Sequence, residues 1–264
     1  MQLFQNSIMT ISLSPRLYLQ NILPFLFAAI ILASCGSTDQ ARLAPAADED
    51  THIYYDIDGE IEADEAISAY IQPYIRDMAR TMNRVLTVSE GSFERDTPEG
   101  TLGNLAADIV RYRATAEMRE KVHVSIMNNG GLRVPLPEGE VTVGNIYELM
   151  PFENHITVLE FTGEQLLRIA DELAGVNGEA VSGIRFRITD GIARDVLVDS
   201  STVDPDSRYW VATNNWMADG GGPSPTLWEP KQRRDLDVMI RDAIIEYISR
   251  KETISPYLDN RVRN

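Results

Sequence analysis

"GEVTVGNIYELMPFENHITVLEFTGEQL", residues 139–166, sets two periodicities side by side. Val143 to Met150 spaces its apolar residues as one face of a short helix, and His155 to Phe161 then reads as a strand. Thr162-Gly163-Glu164-Gln165 follows as a capping box. The threonine hydroxyl accepts from the third helical N–H while the glutamine side chain reaches back, so a helix opens here and runs through Leu173. Helix, strand and helix in direct succession mark a chain that alternates the two.

The pattern extends outward on both sides. Upstream, Val122 to Met127 alternates as a strand, and Leu102, Leu105, Ala106, Ile109 and Val110 signal a helix. From Asp64 onward, Ile67, Tyr70, Ile71, Tyr74, Met78 and Met82 recur at helical spacing, with Pro73 either near the true start of that helix or kinking it. Its Met and Tyr stripe is read as core rather than as a cofactor box. Downstream, Ile184 to Thr189 and Ala193 to Asp199 flank Asp190-Gly191, a hairpin signal, and Arg208 to Thr213 is a further strand. A last helix is expected over Arg233 to Lys251, with Leu236, Met239, Ile240, Ile244 and Ile248 on one face. No internal repeat is present, and the hairpin interrupts the alternation. The expected fold is α+β (α/β mixed), with mixed β-sheets flanked by helices.

The first fifty residues have a different character. Arg16 precedes an apolar run from Ile22 to Ser34 that as a helix would reach only about 20 Å, too short to span a bilayer. It reads as the h-region of an export signal, with translation starting at Met1 or Met9. Leu32-Ala33-Ser34-Cys35 resembles the lipobox of bacterial lipoproteins, in which the cysteine is lipidated and becomes the first residue. That resemblance implies a membrane partner through a lipid anchor on Cys35. Gly36, in place of the aspartate that retains some lipoproteins in the inner membrane, points to the outer membrane and periplasm. Residues 36–50, "GSTDQARLAPAADED", have the small, polar, acidic composition of a flexible tether.

The formal net charge of −16 and pI near 4.6 argue against nucleic-acid polymers as partners, because their phosphates would be repelled. A small anionic ligand is not excluded, since donors gathered in one cleft outweigh distant charge.

Two strand ends discharge into loops with the composition of ligand sites. In Asn128-Asn129-Gly130-Gly131-Leu132-Arg133, adjacent glycines let the backbone turn and approach a ligand. Asparagine supplies a donor and an acceptor, and arginine offers a planar fork for phosphate or carboxylate. The plainer alternative is a tight turn with a solvated arginine. The second loop, "ATNNWMADGGG" (212–222), places Trp216 among polar residues and glycines, as a lid over the core or a stacking platform. Phe152, in Met150-Pro151-Phe152-Glu153-Asn154, has the same choice. Two aromatics on separate loops could sandwich a nucleobase.

Taken together, "LGNLAADIVR" (102–111), "MNNGGLR" (127–133), residues 139–166, "VSGIRFRI" (181–188) and "YWVATNNWMADGGG" (209–222) resemble the C-terminal domain of 5′-nucleotidases and UDP-sugar hydrolases. The resemblance implies a domain that binds a substrate's base, sugar and part of its phosphate, while a separate N-terminal domain holds two metal ions and performs hydrolysis. It implies Asn128 near the base, Arg133 near phosphate or ribose, and Phe152 and Trp216 as the faces of an aromatic clamp. Arg95 is the candidate for a further arginine usually placed just before the Leu-Gly-Asn motif. The family's second loop generally ends Gly-Gly-Asp-Gly, its aspartate holding the ribose hydroxyls; here that position is Gly222, and Asp219 lies three residues earlier.

A two-metal phosphoesterase needs clustered His, Asp and Asn ligands. The three histidines, His52, His123 and His155, lie far apart and lack such spacing. Ser125 and His123 share a strand face at i,i+2, which reads as sheet alternation rather than as a nucleophile with its base. The expectation is therefore a chain with no catalytic residues, metal or cofactor of its own, whose divalent ions sit in a separate metallophosphatase partner, the small-molecule ligand being a nucleotide or a related ester. A binding lipoprotein with no enzyme partner is the alternative. The expected layout is a signal peptide (1–34), a tether (35–50), a lead-in helix and strand (51–90) and the substrate-binding domain (91–264).

Overall fold

The structure, a computed structural model, describes residues 62–264, of which Ala63–Asn264 form one compact unit. The expected signal segment, Cys35 and the expected tether lie outside the described residues.

The chain opens with α1 (Glu65–Met82), capped by Asp64, whose carboxylate accepts from the Ile67 N–H at 2.9 Å. Then come β1 (Val85–Ser89), α2 (Thr101–Met118), β2 (Val124–Met127), β3 (Gly139–Thr142), α3 (Val143–Leu149), β4 (His155–Thr162) and α4 (Gly163–Gly175). The capping box at the start of α4 is formed in full: Thr162 Oγ1 accepts from the Gln165 N–H at 3.2 Å, and Gln165 Oε1 from the Thr162 N–H at 3.1 Å. β5 (Ala180–Ser182), β6 (Ile184–Thr189), β7 (Ile192–Val198), β8 (Ser201–Thr202) and β9 (Arg208–Asn214) follow. α5 (Asn215–Ala218), β10 (Gln232–Met239), α6 (Ile240–Ile248), β11 (Thr253–Ile254) and β12 (Val262–Arg263) complete the chain. In the β6–β7 hairpin, Asp190 and Gly191 both take positive φ, 53° and 73°, as a two-residue primed turn requires.

The central sheet has the order β10-β4-β9-β2-β5, flanked by sheets β11-β1-β3 and β12-β6-β7-β8. Apolar side chains alternate across the central sheet into two cores. Ile156, Val158, Met127 and Ala212 join Leu102, Ile109, Ile146 and Ile244 on one face. Leu159, Phe161, Val124 and Val211 join Leu166, Ile169 and Phe186 on the other. Burial on both faces is why these strands read as nearly continuous apolar runs.

β2 and β9 are parallel, so their C-terminal ends open at the same end of the sheet. β4 runs antiparallel to β9 with Ile156 opposite Asn214, which brings the N-terminal end of β4, and the loop before it, to that end as well. The loops beginning at Asn128, Met150 and Asn214 therefore meet at one edge by topology alone.

Two expectations are corrected. The α1 stripe is not core except at its end: Ile67, Tyr70, Ile71, Tyr74, Ile75 and Met78 are all exposed and α1 fully buries no residue, while the half-buried Met82 packs against the first core. Only its end docks, the Met82 carbonyl lying 3.2 Å from where a Cβ on Gly144 would sit. Helical spacing reports that an apolar face exists, not that this domain covers it. The last helix is also shorter than expected, because residues 232–239 form β10, paired antiparallel to β4. Leu236 and Met239 thus belong to a charged edge strand, and only Ile240, Ile244 and Ile248 lie on the helix. Arg-Arg-Asp-Leu-Asp-Val alternates in twos, and an open ladder edge on β4 was available to receive it.

Candidate ligand-binding site

β2 ends at Met127, and the next residues turn sharply. Asn129–Gly131 form a single 3₁₀ turn in which a Cβ on Gly131 would sit 3.1 Å from the Asn128 amide nitrogen. Glycine there lets the Asn128 side chain fold across the turn. The Asn129 N–H donates to a Glu179 carboxylate oxygen at 2.5 Å; burial pushes that carboxyl up, and this hydrogen bond partly offsets it. The Arg133 N–H donates to the Leu149 carbonyl at 2.8 Å, tying the loop to the end of α3. Its guanidinium donates to the Gly130 carbonyl at 3.3 Å and stands 5.9 Å from the centre of the Phe152 ring.

Asn214, the last residue of β9, does two jobs. Its amide oxygen accepts from the Met217 N–H at 2.7 Å, capping α5, and its amide nitrogen donates to Asn128 Oδ1 at 2.8 Å. That second bond joins the two strand-end loops across 86 positions of sequence. Asn215 Oδ1 accepts from the His155 N–H at 3.0 Å, linking the same turn to β4. The indole of Trp216 packs against Gly221, where any Cβ would collide with the ring. Trp216 and Phe152 remain 49% and 42% exposed. Neither ring is core filling.

The Phe152 loop is held from below. The Ile240 N–H donates to the Asn154 carbonyl at 2.9 Å, and the buried Arg241 points its guanidinium at the Met150 carbonyl, 3.5 Å away. That guanidinium stands 4.2 Å from the Tyr147 ring centre, and its Nε has no hydrogen-bond partner among the described residues.

Arg95 arrives on a separate segment. It donates to the Asn129 carbonyl at 3.4 Å and, with Asn129 and Gly130, borders a cavity of 440 Å³. The structure thus places Asn128, Gly130, Gly131, Arg133, Phe152, Trp216 and Arg95 on loops that are hydrogen-bonded to one another or to shared neighbours. Glu179, Asn214 and Asn215 were not singled out in sequence. The adjacent asparagines at a strand end were the available signal for two of them, while nothing local marks Glu179.

Asp219 does not face the site as a free acceptor. It takes the Arg233 guanidinium at 2.6 Å, and Arg233 also holds Asp235 at 3.0 Å. Gly222 adopts φ +81°, a conformation L side chains rarely take. An aspartate at that position would be strained in this loop.

His123 and Ser125 are both engaged elsewhere. Ser125 Oγ donates to the Ala107 carbonyl at 2.5 Å, fully buried, and His123 Nδ1 accepts from the Trp210 N–H at 3.0 Å. Among the described residues, no group of three His, Cys, Asp or Glu side chains could hold a metal ion. No described helix is long and apolar enough to cross a membrane.

The model of the family described as 5'-nucleotidase, C-terminal domain, matches residues 79–228, more than half of the chain. The chain belongs to this family. It is 33% identical over 182 residues to Endonuclease YhcR of Bacillus subtilis (strain 168), covering 64% of this chain and 14% of that protein. It is 26% identical over 177 residues to the 5'-nucleotidase of Vibrio vulnificus (strain CMCP6), covering 65% of this chain and 32% of that one. Among solved structures, the 5'-nucleotidase precursor from Thermus thermophilus superposes with a TM-score of 0.64 at 25% identity, over 75% of this chain and 42% of its own. The family fold is therefore this chain's fold. The chain spans a third or less of the length of these curated relatives.

Proposed function

We propose that the chain is a binding module for a nucleotide or a related phosphate ester, and that it supplies recognition to a hydrolysis completed by a metallophosphatase on a separate chain. The observation that carries this is the gathering, at one end of the central sheet, of the Arg133 fork, the Asn128–Asn214 amide pair and two exposed aromatics, in a member of this family. Phe152 and Trp216 would stack a base, at about 1–3 kcal/mol per face, and Asn128 would meet its edge. Arg133 would take the anionic group through its fork, with Arg95 behind it. Divalent metal ions are assigned to the partner, where they would polarise the phosphoryl oxygen. An anchor at Cys35 and a place outside the cytoplasm complete the reading.

A second reading, ligand capture without hydrolysis, is favoured by one observation: Asp219, the acid nearest to Gly222, where the resemblance calls for a ribose-holding aspartate, is tied to Arg233. The discriminating experiment is a phosphate-release assay. The full chain alone, with AMP and added Mg²⁺ or Mn²⁺, is expected to release none. Turnover abolished by Arg133→Ala would contradict the module reading.

A further inference from the structure

At the opposite end of β2 from the loops just described lies a second concavity, of 640 Å³. Lys121 and Val122, at the entry to β2, border it, while Asn128 follows the exit. Six residues of extended chain separate the two ends by roughly 20 Å. The cleft shares none of the residues assigned to the nucleotide site, and its volume falls within the roughly 300–1,000 Å³ of small-molecule sites.

Its walls have a particular chemistry. On one side Arg111 and Lys121 both hold Asp199, at 3.3 and 2.8 Å. On another Arg185 holds Asp259 at 2.8 Å. Behind them the buried Arg261 binds Asp108 at 2.9 Å and Asp259 at 2.8 Å. Tyr112 also borders the cleft, 56% exposed, its ring set edge-to-face against Tyr247 at 5.6 Å. The pairs of Asp199 and of Arg185 are partly exposed, and such pairs stabilise a fold by only about 0–1 kcal/mol each. Fold stability is thus a thin reason for their grouping around one hollow.

The pairing also selects the ligand. A charged ligand would have to displace a cation or a carboxylate from its partner. A neutral ligand with adjacent hydroxyls would not, because a hydroxyl donates to a carboxylate oxygen and accepts from a guanidinium or ammonium at once. The ion pairs present both partners side by side, already oriented. An exposed aromatic ring offers an apolar surface to the C–H face of a saturated ring.

We propose that this cleft is a second ligand site, taking a neutral polyhydroxylated ring compound of the sugar class, stacked on Tyr112 and hydrogen-bonded across the Asp199 and Asp259 ion pairs. Saturation-transfer NMR and calorimetry on the full chain, with glucose, galactose, mannose, N-acetylglucosamine and maltose, test it. At least one of these sugars is expected to bind, about ten-fold or more weakly in Tyr112→Ala, and within about two-fold of the parent affinity in Tyr112→Phe. Tyr112→Phe keeps the ring, and Lys121→Met, at an exposed position, should weaken the same sugar. AMP affinity should stay unchanged in Tyr112→Ala. Failure of all five sugars to bind, binding indifferent to both Tyr112→Ala and Lys121→Met, or loss of sugar binding in Trp216→Ala would overturn the proposal.

Discussion

Asn214 shows how much one side chain decides here. It caps α5, and so aims Trp216, while its nitrogen holds Asn128, so the two strand-end loops are set by a single amide. Glycines and amides after a strand singled out Arg133 and Asn128 in sequence, while their composition fits a plain tight turn as well. Asn214's partner lies on a different loop, and spacing carries no trace of it. Arg133→Ala is expected to weaken AMP binding about ten-fold or more, the loss of hydrogen bonds to a charged group worth roughly 1.5–3 kcal/mol, measured by titration calorimetry. His123 gives a pH prediction. Burial, with Lys121 nearby, lowers its pKa below 6.5, so the unfolded chain binds more protons than the folded one across that interval. Its contribution to stability is present above pH 6.5 and is lost as pH falls through the depressed value. Thermal melts of the parent should therefore lose more stability between pH 7 and pH 5 than those of His123→Gln. Parallel curves from pH 7 to 5 would contradict this role.

Elements were legible where pattern and packing agree. The capping box at Thr162 forms as its spacing required, and Thr162→Ala is expected to cost about 1 kcal/mol in denaturant unfolding. α1 and β10 are where pattern and packing part. α1 is amphipathic at the right period, yet its stripe stays exposed up to Met78, because only the end of the helix docks, at Gly144. Ile71→Ser with Tyr74→Ser should therefore leave the melting temperature nearly unchanged, whereas Phe161→Ala, at a fully buried position, should cost about 3–5 kcal/mol. A large drop from the α1 pair would place that stripe in the folding core after all. β10 is hidden in the sequence because Leu236, Met239 and Ile240 fit a helical face; Arg233, Asp235 and Asp237 alternate around Leu236, and β4 pairs with this segment along its edge.

At the scale of the molecule, the mixed sheet was legible and its consequence was not. Strand order and direction determine that the loops beginning at 128, 150 and 214 share an end, and neither is written in any one segment. The same topology separates that end from the ion-paired cleft at the entry to β2. The family accounts for the fold over residues 79–228, while the site's use in this chain rests on its own side chains. The most direct test is calorimetric titration of the full chain with AMP, alongside UMP and UDP-glucose, in the parent and in Trp216→Ala. Binding is expected in the parent and should weaken about ten-fold or more in the variant, as loss of one stacking face entails. No binding across the panel, or equal affinity in the two proteins, would contradict it.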